Sequence, residues 1–149
     1  MSREAVERRL VDFDAVEFSG PATDEDIEEL KAMFRWPLPD DYLEFLRTFG
    51  AGAVESEEFV GLGGPRHLDA KIVTQRLRTG SQFARFAEHL VPLSGDGGGN
   101  YDCIDLERST RNESFVVEWG HASAHTAELR NVANFWEWLM SMLDVSISR

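Results

Sequence analysis

Apolar residues recur at intervals of three and four along much of this sequence, which is the period of helices with one buried face. The intervals predict helices over about residues 3–12, 24–35, 39–49, 67–79 and 132–143. Thr23 is the expected N-cap of the second helix, which ends before Pro37. Pro39 is expected at the first position of the third helix, and Gly50 just after its end. Asn131 is the expected N-cap of the last helix.

Short runs of β-branched and aromatic residues between the helices predict strands. They lie at 52–62, where a hairpin or meander is expected, and at 90–93, 101–106, 114–119 and near 126–130. Pro92 cannot donate a hydrogen bond, so its strand is expected at or near the edge of a sheet. Together these elements predict an α+β fold, a mainly antiparallel sheet flanked by helices, with N-terminal helices and a closing C-terminal helix.

Length and composition favour one globular domain over residues 1–149. No run of about 18 apolar residues is present, so no membrane-spanning helix is expected. The charged start, Met1–Arg8, lacks the apolar segment of a signal peptide. The single cysteine, Cys103, fits a reducing compartment and lies in a run that alternates apolar and polar residues. We interpret it as a buried structural thiol rather than a nucleophile, and we expect a cytoplasmic location.

The chain is strongly acidic, with 27 Asp and Glu against 15 Lys and Arg and a net charge of −12. Residues 1–60 carry 16 of the acidic and 6 of the basic side chains, so most of the excess lies in the N-terminal part. Such a charge repels nucleic acid and anionic membranes, and neither is expected as a partner. It attracts basic proteins and speeds their association. The alternative is that the acidity only keeps the protein soluble.

Residues 95–100 form a glycine-rich segment, Gly-Asp-Gly-Gly-Gly-Asn. The segment lacks the Gly-Lys-Ser/Thr ending of a phosphate-binding loop, and a strand is expected after it where a dinucleotide-binding loop has a helix. Two interpretations stay open. The segment is a bulge or flexible connection between two strands, or it is an exposed loop that contacts a partner.

The histidines do not have the pattern of a metal site. His121 and His125 are four residues apart but lie in a predicted loop, and further zinc ligands would have to come from His67, His89 or Cys103. We interpret the two as a surface pair and expect no metal and no cofactor.

No catalytic set emerges from the remaining polar residues. Asp102 and Asp105 would not face one another as a catalytic carboxylate pair does. A Gly-x-Ser-x-Gly nucleophile motif is absent. We therefore expect no catalytic residues and no enzymatic activity. Trp136 lies on the apolar face of the last helix and is expected in the core, whereas Trp138 lies off that face, where it packs elsewhere or is partly exposed as an anchor for a partner.

Several of these segments together resemble the SUKH superfamily, in sequence and in order. The run Leu38–Leu46 followed by Phe49-Gly50 is similar to the early helix of that family. Residues 95–105 resemble its glycine-rich stretch before a strand, Val116–Trp119 its next strand, and Asn134–Leu139 its closing helix. The resemblance covers about residues 22–143. It departs at residues 49–52, Phe-Gly-Ala-Gly, where the family often has an Asn-Gly-Gly type of turn.

Members of the SUKH superfamily include fungal regulators of cell-wall assembly, of the Smi/Knr type, and many bacterial toxin-immunity proteins. The resemblance implies an α+β fold and, in bacteria, stoichiometric inhibition of a partner toxin without catalytic residues. Nuclease toxins are often basic because they bind phosphate backbones, so an acidic protein fits such a partner. The alternatives are a regulatory scaffold of the cell-wall type and an enzyme that uses the glycine-rich segment on a nucleotide or sugar.

The expected partner-binding residues are the acidic outer face of the second helix and the glycine-rich loop. They are Asp24, Glu25, Glu28, Glu29, Asp96, Gly97, Gly98, Gly99 and Asn100. The sequence identifies neither the toxin nor the oligomeric state.

Overall fold

The computed structural model of the protein describes residues 2–80, 85–129 and 132–148, which form five α-helices and seven strands. The helices are α1 (Arg3–Leu10), α2 (Asp24–Lys31), α3 (Asp40–Thr48), α4 (Ala70–Thr79) and α5 (Phe135–Ser148). The strands are β1 (Val16–Phe18), β2 (Gly52–Val54), β3 (Glu57–Phe59), β4 (Leu90–Gly95), β5 (Tyr101–Asp105), β6 (Val116–Trp119) and β7 (Thr126–Glu128). The predicted α+β fold is confirmed.

Local capping explains where the helices begin. Thr23 is the N-cap of α2 as predicted, and its hydroxyl accepts the Asp26 N–H at 3.1 Å. Helix α4 starts three residues later than predicted, because residues 66–68 form a 3₁₀ turn and Asp69 accepts the Lys71 N–H at 2.9 Å. Pro39 is the N-cap of α3 rather than its first residue.

The start of α5 also differs from expectation. The predicted N-cap, Asn131, lies outside the described residues. Asn134 directly precedes the helix, and its side-chain oxygen accepts the Glu137 N–H at 2.9 Å. In the N-terminal part of the chain, α2 ends at Lys31, four residues before the predicted limit at residue 35. Phe34 lies in the irregular segment that follows and packs against the core.

The strands form two antiparallel sheets. One has the order β1-β2-β3 and the other the order β4-β5-β6-β7, so β4, which contains Pro92, is an edge strand as predicted. The sheets meet where β3 passes β4: the Val60 N–H donates to the Leu93 carbonyl at 2.8 Å, and the Ser94 hydroxyl donates to the Glu58 carbonyl at 2.8 Å. Strand β1 was not predicted, because three residues with two exposed side chains carry no periodicity and become a strand only by pairing with β2.

The helices and both sheets share one apolar core, in which Trp119, Trp136 and Trp138 are buried and against which Trp36 packs. Trp136 is buried as predicted. Trp138, a candidate exposed anchor, is also buried, with 1% of its surface accessible. It packs edge-on against Phe59 of β3 and contacts Phe135. Helix α5 is covered by α1 and α3 as well as by β3, so its buried face is wider than a single stripe.

Two polar side chains have structural roles in this core. Asp41, at the start of α3, is 8% exposed and accepts hydrogen bonds from Ser114, before β6, and from the Phe135 N–H, at the start of α5. Cys103 is fully buried, as predicted, and burial together with Asp102 and Asp105 raises the pKa of its thiol well above the usual value. A thiol in this setting stays protonated and is a poor nucleophile.

Among the helices of the described residues, none is both long enough and apolar enough to cross a membrane.

Candidate partner-binding site

A cleft lined by carboxylates lies between the β2–β3 hairpin, the beginning of β5 and the C-terminal half of α5. Its volume is about 430 Å³. Five acidic side chains line it, and no Lys or Arg does so among the described residues; we call it the acidic cleft. The five are Glu57, Glu58, Asp96, Asp102 and Glu118. Tyr101, Met142 and Val145 add apolar surface to its wall, so the cleft offers both negative charge and a surface for an aliphatic chain.

The register of β5 against β6 places Asp102 next to another carboxylate of the acidic cleft. Asp102 pairs directly with Glu118 across β5 and β6, an arrangement of like charges that ordinarily destabilises a sheet. One Asp102 oxygen accepts the Trp138 Nε1–H at 2.9 Å. Burial raises the pKa of Asp102; the Trp138 hydrogen bond opposes the rise, and the nearby carboxylates, Glu118 foremost, add to it.

The glycine-rich loop forms one rim of the acidic cleft and has a defined conformation. The Asp96 carboxylate accepts the N–H groups of Gly98 at 2.7 Å and Asn100 at 3.1 Å. Burial acts to raise the pKa of Asp96, but these donors outweigh it and the pKa lies below its usual value. The Asn100 side-chain oxygen lies 2.8 Å from the His121 Nδ1 and accepts the His121 backbone N–H. Gly99 has φ +104°, and a Cβ there would approach the His121 ring to 2.9 Å.

The loop connects β4 to β5 and is exposed at Asp96, Gly97 and Gly98. Hydrogen bonds to Asp96 on one side and between Asn100 and His121 on the other hold it in this conformation. Such a loop offers a partner a preformed surface, which lowers the entropy lost on binding.

The predicted acidic face of α2 lies apart from this cleft. Asp24, Glu25, Glu28 and Glu29 are all exposed. Two of them are partly neutralised within the chain, Glu28 by Lys31 at 3.3 Å and Glu29 by Lys71 of α4 at 3.2 Å. Helix α4 lies between α2 and the loop: through Lys71 it contacts α2, and through Arg76 it donates to the Tyr101 hydroxyl of β5.

A three-ligand cluster suited to a metal exists elsewhere among the described residues, and it contains neither His121 nor His125. It consists of His89, Asp105 and Glu107, with the ligand atoms within 4.8 Å of one another. Asp105 is already used by the fold, since its carboxylate accepts the N–H groups of Glu107 and Arg108. The His89 Nδ1 lies 3.1 Å from Glu107. Contacts within the fold therefore explain why these three side chains lie close together.

Comparison with known proteins bears on what such a fold does. A family model described as SMI1-KNR4 cell-wall, of the SUKH group, matches residues 5–144. The chain belongs to the SMI1-KNR4 family of the SUKH superfamily. The protein is also similar to the SPbeta prophage-derived uncharacterized protein YokK of Bacillus subtilis (strain 168), with 25% identity over 178 aligned positions that cover 99% of this chain and 89% of that protein.

This SUKH membership confirms the resemblance found in the sequence and supports a role related to immunity or regulation. Of the five acidic residues of the cleft, the sequence predicted only Asp96 as a partner-binding residue; it missed Glu57, Glu58, Asp102 and Glu118. A signal for one of them was present: if the strands at 101–106 and 114–119 are aligned as a hairpin, two acidic residues become cross-strand neighbours, which strands generally avoid.

Replacing Asp102 with asparagine is expected to raise the free energy of unfolding of this SUKH protein at pH 7. Loss of the like-charge pair with Glu118 alone gives about 0.2–1 kcal/mol, and the asparagine oxygen can still accept the Trp138 N–H. Because the pKa of Asp102 is raised above 3.8 in the folded protein, its destabilising effect is absent below that value. The effect grows as the pH rises through the folded pKa and is constant above it.

Urea denaturation of both proteins from about pH 3 to pH 8 measures this difference. The matched control is Asp14→Asn, at an exposed carboxylate outside the cleft, which is expected to change stability by less than about 0.5 kcal/mol at every pH. A variant at Asp102 that is less stable than wild type across the range contradicts the prediction.

Proposed function

We propose that the protein is a cytoplasmic immunity protein that binds a cognate bacterial toxin and neutralises it by masking the toxin's active site. Membership of the SUKH superfamily supports a role of this class. The observation that carries the proposal further is the acidic cleft, where five carboxylates converge beside a preformed loop. The cleft binds a positively charged surface, and its action needs no catalytic residues.

The electrostatics support a basic partner, such as a nuclease toxin. A partly buried carboxylate next to like charges is unfavourable in the free protein, as the raised pKa of Asp102 indicates. An arginine or lysine of the partner relieves this repulsion when it enters the cleft, so the charge pair forms where water is partly excluded. Net charge of −12 then speeds the encounter over a longer range.

The test is co-expression with the product of the neighbouring gene, scored by survival of the host. This protein is expected to rescue a host from that product, and the purified pair is expected to bind with an association rate that falls as salt is added. The variant Asp102→Asn with Glu118→Gln is expected to weaken binding at least tenfold. Asp14→Asn with Glu17→Gln removes the same charge from exposed positions elsewhere and is expected to bind nearly as wild type.

A second pair of substitutions, Glu25→Lys with Glu28→Lys, tests the exposed face of α2 that the sequence favoured. If this variant associates more slowly with the partner and the cleft variant, Asp102→Asn with Glu118→Gln, does not, the partner binds the face of α2 rather than the acidic cleft. Failure of the protein to protect against any neighbouring gene product, together with unchanged binding by the cleft variant, overturns the proposal.

The second candidate is a regulatory scaffold that binds cellular proteins with no toxin involved. The description of the matching family by its cell-wall role favours it. Two results together support the scaffold: that no toxin gene lies beside this one, and that the immobilised chain recovers endogenous proteins that the Asp102→Asn, Glu118→Gln variant does not recover.

An enzyme that uses the glycine-rich loop on a nucleotide or sugar is a weaker alternative. Phosphate is repelled at this loop because the carboxylates of the cleft surround it. A nucleotide present at 100 times its dissociation constant adds about 2.7 kcal/mol to stability, so thermal shift with nucleotides and divalent metals detects such a ligand.

A further inference from the structure

A groove of opposite character lies at the other end of β5, about five strand residues or roughly 16 Å from the acidic cleft. Its volume is about 950 Å³, more than twice that of the acidic cleft. Four basic side chains line it against two acidic ones, Asp40 and Glu107; we call it the basic groove. The basic ones are Lys31, Arg35, Arg47 and Arg111. The chain as a whole has a net charge of −12, so an excess of basic side chains around one groove is a local exception.

The cations of the basic groove are available to a ligand. Arg47 and Arg111 are exposed, and neither has a carboxylate within 4.0 Å among the described residues. Lys31 pairs with Glu28 at 3.3 Å and Arg35 with Glu88 at 3.6 Å. Exposed ion pairs of this kind contribute about 0–1 kcal/mol, so an incoming carboxylate can replace them at little cost.

The floor of the basic groove is apolar. Trp36 and Phe34 are half-buried there, and Leu38 and Leu43 are buried beneath them. Trp36 also packs edge-on against His89 at 5.9 Å, which fixes its ring. Aromatic and aliphatic surface next to arginine is typical of sites that bind peptides through one apolar side chain and flanking charges.

The two walls of the groove are joined by the backbone. The Asp40 N–H donates to the Arg111 carbonyl at 2.9 Å, and the Asp41 N–H donates to the Asn112 carbonyl at 3.2 Å. These bonds connect the start of α3 to the segment after β5, so Arg47 and Arg111 are held on a preformed surface. A preformed site loses less entropy on binding than one that must close around its ligand.

We propose that the basic groove is a second binding site, which takes an acidic peptide segment of another protein that carries an aromatic or large aliphatic side chain. Carboxylates of the peptide pair with Arg47 and Arg111, and its apolar side chain packs on Trp36. A nucleic acid fits less well, because a long polyanion must also pass the acidic face of α2, where Glu28 and Asp26 lie. The site is independent of the acidic cleft and of the toxin proposal.

The probe is a short fluorescein-labelled peptide that alternates Glu with Trp and Leu, followed by fluorescence anisotropy on the full chain. Binding is expected for this peptide, and at least tenfold weaker binding for the same peptide with Gln in place of Glu. Arg47→Ala with Arg111→Ala is expected to weaken binding of the Glu peptide at least tenfold, because both residues are exposed and their loss leaves the fold intact. Circular dichroism checks the fold.

The matched control is Arg8→Ala with Arg66→Ala, which removes two exposed arginines outside the groove and is expected to leave binding unchanged. Equal loss in the control and in the groove variant overturns the proposal, since the attraction is then only a property of net charge. No binding of the Glu peptide at millimolar concentration also overturns it, as does displacement by a single-stranded oligonucleotide at lower concentration than by the unlabelled peptide.

Discussion

Replacing Asp41 with alanine is expected to lower the free energy of unfolding by about 3–5 kcal/mol, because each buried donor left without an acceptor costs about 1–3 kcal/mol. The carboxylate accepts the Ser114 hydroxyl at 2.6 Å and N–H at 2.9 Å, and the Phe135 N–H at 2.9 Å. These contacts join α3 to the start of β6 and to the first residue of α5, in a part of the core from which water is excluded. Urea denaturation followed by circular dichroism measures the change.

The neighbouring residue provides the control. Asp40 is also an acid in the first turn of α3, but it is exposed, so Asp40→Ala is expected to cost only the helix-dipole contribution of about 0.3–1 kcal/mol. Asp41→Asn keeps one acceptor oxygen and is expected to lie between the two. If the free energy of unfolding of Asp41→Ala lies within about 1 kcal/mol of the wild-type value, the prediction is wrong, because a loss that small means that the buried donors have found other partners.

Replacing Gly61 with alanine is expected to destabilise the protein by at least about 3 kcal/mol, through overpacking against backbone that cannot move aside. A Cβ at this position lies 1.7 Å from the Gly50 carbonyl oxygen and 2.8 Å from its carbon. The chain is held there from the other side, because the Gly61 N–H donates to the Leu68 carbonyl at 2.9 Å and its own carbonyl accepts the Ala70 N–H at 2.7 Å. Relief of the clash therefore breaks backbone hydrogen bonds.

The same substitution in the glycine-rich loop is the comparison. At Gly98 a Cβ meets only the Asp96 side chain, at 3.5 Å, which is an ordinary contact. Gly98→Ala is expected to change stability by less than about 0.5 kcal/mol. Thermal and urea denaturation distinguish the two, and if the Gly61 variant is insoluble, its yield relative to the Gly98 variant gives the ranking. Equal stability of the two variants contradicts the predicted close approach.

The parts of the fold that the sequence predicted are those set by neighbours along the chain. Thr23 caps α2 because the N–H that it accepts is three residues away, and Gly50 has φ +77° at the end of α3 because a helix terminates well in a left-handed residue. The edge position of β4 follows from Pro92, which has no N–H to give. Each of these is a short-range geometric rule.

The role of Asp41 could not be predicted in the same way. By position it is an ordinary acid of a helix start, and its partners are 73 and 94 residues away along the chain. The burial of Trp138 depends on β3 lying beside α5, which the helical period of α5 does not include. Both outcomes rest on which elements meet in space.

The same distinction applies to the two surfaces. From the sequence, the net charge and the glycine-rich segment at 95–100 predicted a partner-binding surface of acidic residues and loop residues. The concentration of charge in the acidic cleft depends on the pairing of Asp102 with Glu118 and on the β2–β3 hairpin. The four basic side chains of the basic groove lie between residues 31 and 111 of the sequence, so no short stretch of sequence contains all of them.

What the sequence determined by itself was the α+β class, most of the helix and strand positions, the family, and the excess of negative charge, since these depend on periodicity, capping and composition. The tertiary structure alone decided where the charges gather, that Asp41 joins three elements, and that acidic side chains line a cleft at one end of β5 while mostly basic ones line a groove at the other. The physical reason is that hydrogen bonds and Coulomb forces depend on the distance between groups in space, and only the folded chain sets those distances for residues far apart in sequence.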